Sequence, residues 1–180
     1  RLFSDAFTER YRRDGLSGVR VPFLNPVIWQ YAIEDAAEGA LVWRDARDEL
    51  IAFCMVHRSG SEGWMGPLAV RPDRQGQGLG REVVRAGVAW LQAQGVRTIG
   101  LETMPRTIEN IGFYAGLGFL PGHLTITLQR RDPRRRGPLT TRLGEVEAGR
   151  RDSVLAECRA LSTQVAAGVD FTREMVLTLE

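Results

Sequence analysis

Leu68-Ala-Val-Arg-Pro-Asp-Arg-Gln-Gly-Gln-Gly-Leu-Gly-Arg81 is the stretch whose reading decides the fold. It predicts a strand ending at Val70, a turn at Pro72-Asp73, and a glycine-rich loop that opens a helix. Gly76, Gly78 and Gly80 have no β-carbon, so successive backbone N–H groups can turn toward one point and a ligand can approach closely. The first turn of the helix adds unpaired N–H groups and the positive end of its dipole. Arg74 and Arg81 flank the loop with permanent charge. A pyrophosphate suits such a pocket.

Two familiar phosphate loops do not fit. A P-loop would place a Lys-Ser/Thr pair after the glycines, and none follows. A dinucleotide fold wants Gly-x-Gly-x-x-Gly after the first strand, whereas here the spacing is Gly-x-Gly-x-Gly in mid-chain. The string Gln75-Gly76-Gln77-Gly78-Leu79-Gly80 instead resembles the Gln/Arg-x-x-Gly-x-Gly/Ala motif of the GNAT superfamily of acyl-CoA-dependent N-acyltransferases. A second string, Asn110-Ile-Gly-Phe-Tyr114-Ala-Gly-Leu-Gly-Phe119, is similar to the Asn-x-x-Phe-Tyr-x-x-x-Gly-Phe ending of many members.

The resemblance covers residues 2–130. It implies an α/β (α+β) GNAT fold, a mixed central sheet with splayed parallel strands flanked by helices. It implies acetyl-CoA as co-substrate, no metal, and direct attack by a primary amine of a small molecule or peptide in a ternary complex. Leu68, Ala69 and Val70 would then hold the pantetheine arm through their backbone. Arg74, Gln75, Gly76, Gln77, Gly78, Leu79, Gly80 and Arg81 would surround the pyrophosphate. A frequent variant places an asparagine seven residues before the tyrosine; here Thr107 stands there and Asn110 lies closer in, so either is a candidate pantetheine contact.

Acyl transfer from a thioester needs a neutral amine, a donor for the developing oxyanion and a proton for the leaving thiolate. A free alkyl amine has a pKa of about 10.4, so near neutral pH a base or relay must strip it. In the superfamily the tyrosine hydroxyl lies near the thioester sulfur, which makes Tyr114 the general acid. Some members carry a glutamate in the middle of the third strand, but the matching position here is Trp64. Glu102 is the leading base, since Leu101-Glu102-Thr103 and its spacing to Tyr114 resemble bacterial ribosomal-protein N-terminal acetyltransferases. Glu62, His57 and a water are the alternatives. Asp73 is read as ordering the turn before the loop, and His123 as a solvated turn residue.

Along the chain, apolar spacing predicts a helix over 2–13. Asn25-Pro26 reads as an N-cap followed by proline at the first helical position of a helix running to about Ala37. Its face of Val27, Ile28, Tyr31 and Ala32 is assigned to the core or the wall of an acceptor groove formed by Phe23–Tyr31 and Met104–Arg106. Ala40–Arg44, Leu50–His57 and Glu62–Val70 read as strands. Pro67 lacks a ladder donor, which predicts an edge, a bulge or a splayed pair. Residues 79–94 form the best amphipathic helix, followed by a strand at Thr98–Thr103 and a helix at Thr107–Leu117. Phe119-Leu120 and Leu124–Gln129 are expected to close the sheet.

The 180 residues, 43% of them hydrophobic, suffice for a domain of ordinary size. The net charge of +2 does not point to nucleic acid, and every basic residue is arginine. Cys54 and Cys158 lack metal-ligand spacing and suggest a reducing compartment. No apolar run approaches a membrane span, so a cytoplasmic protein without membrane or nucleic-acid partners is expected. A domain over 1–130 is expected, with its first strand missing, before an Arg-rich linker at 131–137. Residues 138–180 read as a strand at Pro138–Leu143 and helices at Ser153–Val165 and Phe171–Glu180, a possible start of a second GNAT-like repeat. Their apolar faces are expected to pack on the first domain, on another copy of the chain in a homodimer, or in a tandem-domain contact. A non-catalytic acyl-CoA-binding sensor, or the inert half of a tandem protein, is the alternative function.

Overall fold

Hydrophobic alternation along the second strand organises two layers of helices. The computed structural model describes residues 1–104, 107–123 and 141–179. Among these residues one four-stranded sheet is built from β1 (Ala40–Arg44), β2 (Leu50–Ser59), β3 (Glu62–Val70) and β4 (Thr98–Leu101), in that order. The first two pairings are antiparallel, and β3 runs parallel to β4 through the crossover helix α3 (Leu79–Ala93). Ala52, Cys54 and Val56 point from β2 into a core completed by Val83, Val84 and Leu91 of α3. Phe53 and Met55, the intervening residues, face α1 (Leu2–Arg13) and α2 (Pro26–Ala36). Each fully buried aliphatic side chain contributes about 1.5–3 kcal/mol by leaving water.

α2 starts where Asn25 Oδ1 accepts the Val27 N–H at 3.0 Å, with Pro26 locking the first turn. The face it buries is Trp29, Ala32 and Ala36, with Trp29 edge-on to Phe53 at 5.4 Å. Val27 and Ile28, assigned to the core or to a groove wall, are exposed and so do not belong to the core. Hydrophobicity alone did not separate the two sides of a helix that is apolar nearly all round.

A bulge sets the shape of the sheet. Cys54 pairs with Leu68 and Val56 with Met65, so Met55 faces two residues, Gly66 and Pro67. The extra residue reverses the side-chain alternation: Met65 and Val70 share one core, and Ala69 lies in the other. Gly66 adopts φ +147°, a value that favours glycine. The parallel pairing ends at the same point, with Met65 opposite Leu101, so Gly66–Val70 has no β4 partner among the described residues. Pro67 thus accompanies both the bulge and the splay.

After β4 come α4 (Ile108–Ala115), α5 (Ala148–Val165) and α6 (Thr172–Leu177). Four expectations need correction. Phe119-Leu120 is in no strand; Phe119 instead folds back, its N–H bonding to Tyr114 O at 3.1 Å and its ring packing on Tyr114. β4 ends at Leu101, because the partner strand leaves it there. α5 begins five residues earlier than read, at Ala148, a polar first turn that carries no apolar signal. The expected strand Leu124–Gln129, the linker 131–137 and residues 138–140 lie outside the described residues. Thr141 and Arg142 are in no strand, and Leu143 opens a short 3-10 turn.

The C-terminal helices dock on the β2–β3 hairpin. Ser61 donates its N–H to Gly168 O at 2.7 Å, and a Cβ on Gly60 would fall 2.1 Å from that oxygen. Arg159 pairs with Asp170 at 2.8 Å, Ser59 Oγ donates to the Glu174 carboxylate, and Arg173 donates to Glu34 O at 2.7 Å. Val169 is buried, while Leu161, Val165 and Val176 remain exposed.

Candidate active site

The glycine loop follows directly on the splayed end of β3. Gly76 and Gly78 have φ +75° and +89°, and nothing lies within 4 Å of where either Cβ would stand. A left-handed glycine with open space beside it is a cradle for a ligand that must approach backbone. Gly78 is the N-cap of α3 and has no side chain to cap it. The helix's first internal bonds come from the Arg81 and Glu82 N–H groups to Gly78 O, so the N–H groups of Leu79 and Gly80 have no partner within the helix. Gly80 is packed instead: a Cβ built there would meet the Phe113 ring at 3.5 Å.

The side chains of the loop divide into structural and free. Gln75 Nε2 donates to Val70 O at 2.9 Å and Gln77 Nε2 to Asp73 O at 3.0 Å, so both amides hold the loop's own shape. Asp73 accepts Arg71 Nε at 2.7 Å, in keeping with a turn-ordering role, and that pairing holds its carboxyl below the usual range. Arg74 donates to Asp45 at 3.3 Å and faces a hollow of about 340 Å³ whose lining includes Arg47, Glu49 and Arg71. Its charge is therefore already answered by carboxylate. Arg81 is exposed and has no ion-pair partner among the described residues. Asp45 and Arg71, to which the sequence assigned no role at the site, form the hub beneath the loop. Nothing short-range announces it, since Asp45 and Arg74 are 29 residues apart.

Tyr114 lies on α4, edge-on to Phe113 at 5.0 Å and to Phe119 at 6.0 Å, against the core that includes Leu68. Burial, reinforced by the neighbouring Cys54 thiol, pushes its hydroxyl up to about 12. Cys54 pairs across the sheet with Leu68, the first residue past the bulge, which puts the Tyr114 ring beneath the splay. The phenol is protonated throughout the physiological range and can give a proton but not act as a base. Cys54 itself is pushed to about 12 by burial and is chemically inert.

Glu102 follows Leu101, whose partner Met65 is the last before the splay, so it stands at the open mouth of the gap. It is exposed and has no partner among the described residues. The alternatives lie elsewhere. Glu62 pairs with Ser59 and Thr98 at the far end of β3, eight residues or about 26 Å from Val70. His57 sits 3.8 Å from the buried Asp35 carboxylate, on the side where the C-terminal helices dock. Trp64 covers Gly100, its ring within 3.2 Å of a Cβ built there. Asn110 Nδ2 donates to Thr103 Oγ1 at 3.3 Å, and Thr107, fully buried, donates to Asp14 at 3.0 Å. His123 is exposed, as expected.

The acetyltransferase (GNAT) family model matches residues 4–119 of this chain, the span that holds the splayed sheet, the glycine loop at a helix N-terminus and the half-buried Tyr114. The chain belongs to that family. A stretch of 84 residues is 33% identical to the mycothiol acetyltransferase of Actinosynnema mirum, covering 46% of this chain and 28% of that protein. The chain thus spans under a third of that relative's length. Among solved structures, the BH1408 protein of Bacillus halodurans superposes with a TM-score of 0.54 at 22% identity, over 71% of this chain and 92% of its own. AAC(6')-Iy, solved with the bisubstrate analogue CoA-S-monomethyl-acetylneamine, gives a TM-score of 0.52 at 16% identity, covering 69% and 93%. At those identities the likeness concerns the fold. Among the described residues no helix is long and apolar enough to cross a membrane, and no group of three acidic, histidine or cysteine residues could hold a metal.

Proposed function

We propose that the chain is an N-acetyltransferase that carries an acetyl group from acetyl-CoA to a primary amine by direct attack in a ternary complex. The observation that carries this is the coincidence of three features: the opening between β3 and β4 past Met65, the open glycine cradle leading from the end of β3, and Tyr114 beneath the opening. The gap leaves the edge of Leu68–Val70 that faces away from β2 without a strand partner among the described residues, so that, Val70 O apart (it accepts from Gln75), an amide-bearing arm can pair there. The N–H groups at Gly76–Gly80 and Arg81, which has no ion-pair partner among the described residues, supply charge for a pyrophosphate. On this reading Glu102 accepts the amine proton, directly or through water. The amine nitrogen bonds to the thioester carbon, the carbon–sulfur bond breaks, and the Tyr114 hydroxyl gives its proton to the sulfur.

A second reading, an acyl-CoA-binding sensor without turnover, is favoured by one observation: Trp64 occupies the strand position where other members carry a glutamate. A thiol-release assay with acetyl-CoA and three probe amines, glycinamide, glucosamine and cadaverine, separates the two. Amine-dependent thiol release that Tyr114→Phe abolishes supports the enzyme; saturable binding with no release from any amine supports the sensor.

A further inference from the structure

The sequence motif offers Thr107 as a pantetheine contact, yet the structure commits its hydroxyl elsewhere. Thr107 is the N-cap of α4 but makes no side-chain cap; it is fully buried and donates to Asp14 Oδ2, 93 residues away, at 3.0 Å. Asp14 closes α1, its own side chain only 9% exposed. Arg10, one turn earlier on α1, donates to Asp14 and also reaches Glu109 in the first turn of α4. Tyr11 of the same turn donates to Met104 Sδ at 3.4 Å, in the loop that follows Glu102. The Thr107 N–H bonds to Met104 O at 3.0 Å, and Thr107 O accepts from Asn110 and Ile111. The end of α1 therefore grips both the loop that carries Glu102 and the first turn of the helix that carries Tyr114.

We infer that Asp14 and Thr107 are positioning residues for the transfer, a buried latch that sets the Glu102 loop and the Tyr114 helix at fixed separation across the splayed strands. This rests on the proposed N-acetyltransferase reading. The latch also ties that catalytic side to the start of residues 15–25, which fold back along α1 through Val21: its carbonyl accepts from Ser4 Oγ, and its N–H donates to Thr8 Oγ1 at 3.0 Å. The Arg10–Glu109 pair is exposed on the glutamate side and contributes little alone. The Thr107–Asp14 bond, shielded from water on both sides, carries the restraint.

The test compares the wild-type chain with Thr107→Val, which keeps shape and loses the hydroxyl, Thr107→Ser, which keeps the hydroxyl, and Asp14→Asn. With acetyl-CoA and whichever of the three probe amines the wild type turns over fastest, Thr107→Val should lower kcat about ten- to a hundredfold, a displacement-sized effect. Its acetyl-CoA Kd by calorimetry should stay at the wild-type value, and Thr107→Ser should recover kcat. Hydrogen exchange should quicken in residues 107–115 and 14–25 of Thr107→Val and Asp14→Asn, while α3 is unchanged. Wild-type kcat in Thr107→Val, no recovery with serine, or exchange quickened equally in α3 would overturn the proposal. If the wild type releases thiol with none of the amines, it is the enzymatic reading that fails. The latch is then decided by the exchange pattern alone, and unchanged exchange in 107–115 refutes it.

Discussion

On the proposed reading, Tyr114 and Glu102 divide the chemistry between a half-buried donor and an exposed acceptor. A phenol held near 12 loses no protons below about pH 11, so Tyr114 imposes no alkaline limb on kcat in the accessible range. Tyr114→Phe is expected to lower kcat by about 10²–10⁴ while leaving acetyl-CoA affinity unchanged, as stopped-assay kinetics beside calorimetry will read. Glu102 matters most where the acceptor amine is still charged. Glu102→Gln should therefore reduce kcat most at neutral pH, with the loss shrinking as pH rises toward the amine's own pKa. A pH-independent loss would move the base to a backbone-held water. Both residues were legible as letters in a motif. Their placement was not: it follows from Cys54 pairing with Leu68 and from Leu101 pairing with Met65, contacts that depend on the sheet register.

At the scale of elements, strands and helices were readable wherever a period or a punctuating residue marked them. Asn25-Pro26 started α2, the apolar stripe drew α3, and Pro67 announced the bulge. The inner face of α2 and the first turn of α5 escaped because neither carries an amphipathic contrast. Two substitutions test the elements that shape the site. Gly78→Ala forces a side chain to φ +89° at the start of α3, a cost of about 1–2 kcal/mol. It should lower Tm and weaken acetyl-CoA binding together. Leu91→Ala, in a fully buried position beneath Gly63, should cost about 2–5 kcal/mol by chemical denaturation and leave the loop's affinity for acetyl-CoA intact in the folded fraction.

In the whole molecule, the long-range ties are polar and were invisible in sequence. Asp14 with Thr107 and Asp35 with His57 join residues that no periodicity connects. The second pair anchors α2 where the C-terminal helices dock. Desolvation, partly countered by His57 and Arg173 and reinforced by Glu174, raises the Asp35 carboxyl. A raised carboxyl binds more protons folded than unfolded, so its contribution is fully present below the unfolded value of about 4 and is lost as pH climbs through the raised value. Asp35→Asn removes that titration. The Tm of the variant relative to wild type should therefore rise as pH goes from about 4 through the raised Asp35 value. A difference that stays flat across that window would show that Asp35 does not titrate differently in the two states.

The central claim is that the gap and the glycine cradle form one acetyl-CoA site, and titration calorimetry of the wild-type chain with acetyl-CoA tests it most directly. The account predicts saturable binding of one acetyl-CoA per chain, weakened by Gly78→Ala. No saturable heat with the folded wild type, or binding indifferent to Gly78→Ala, would contradict it.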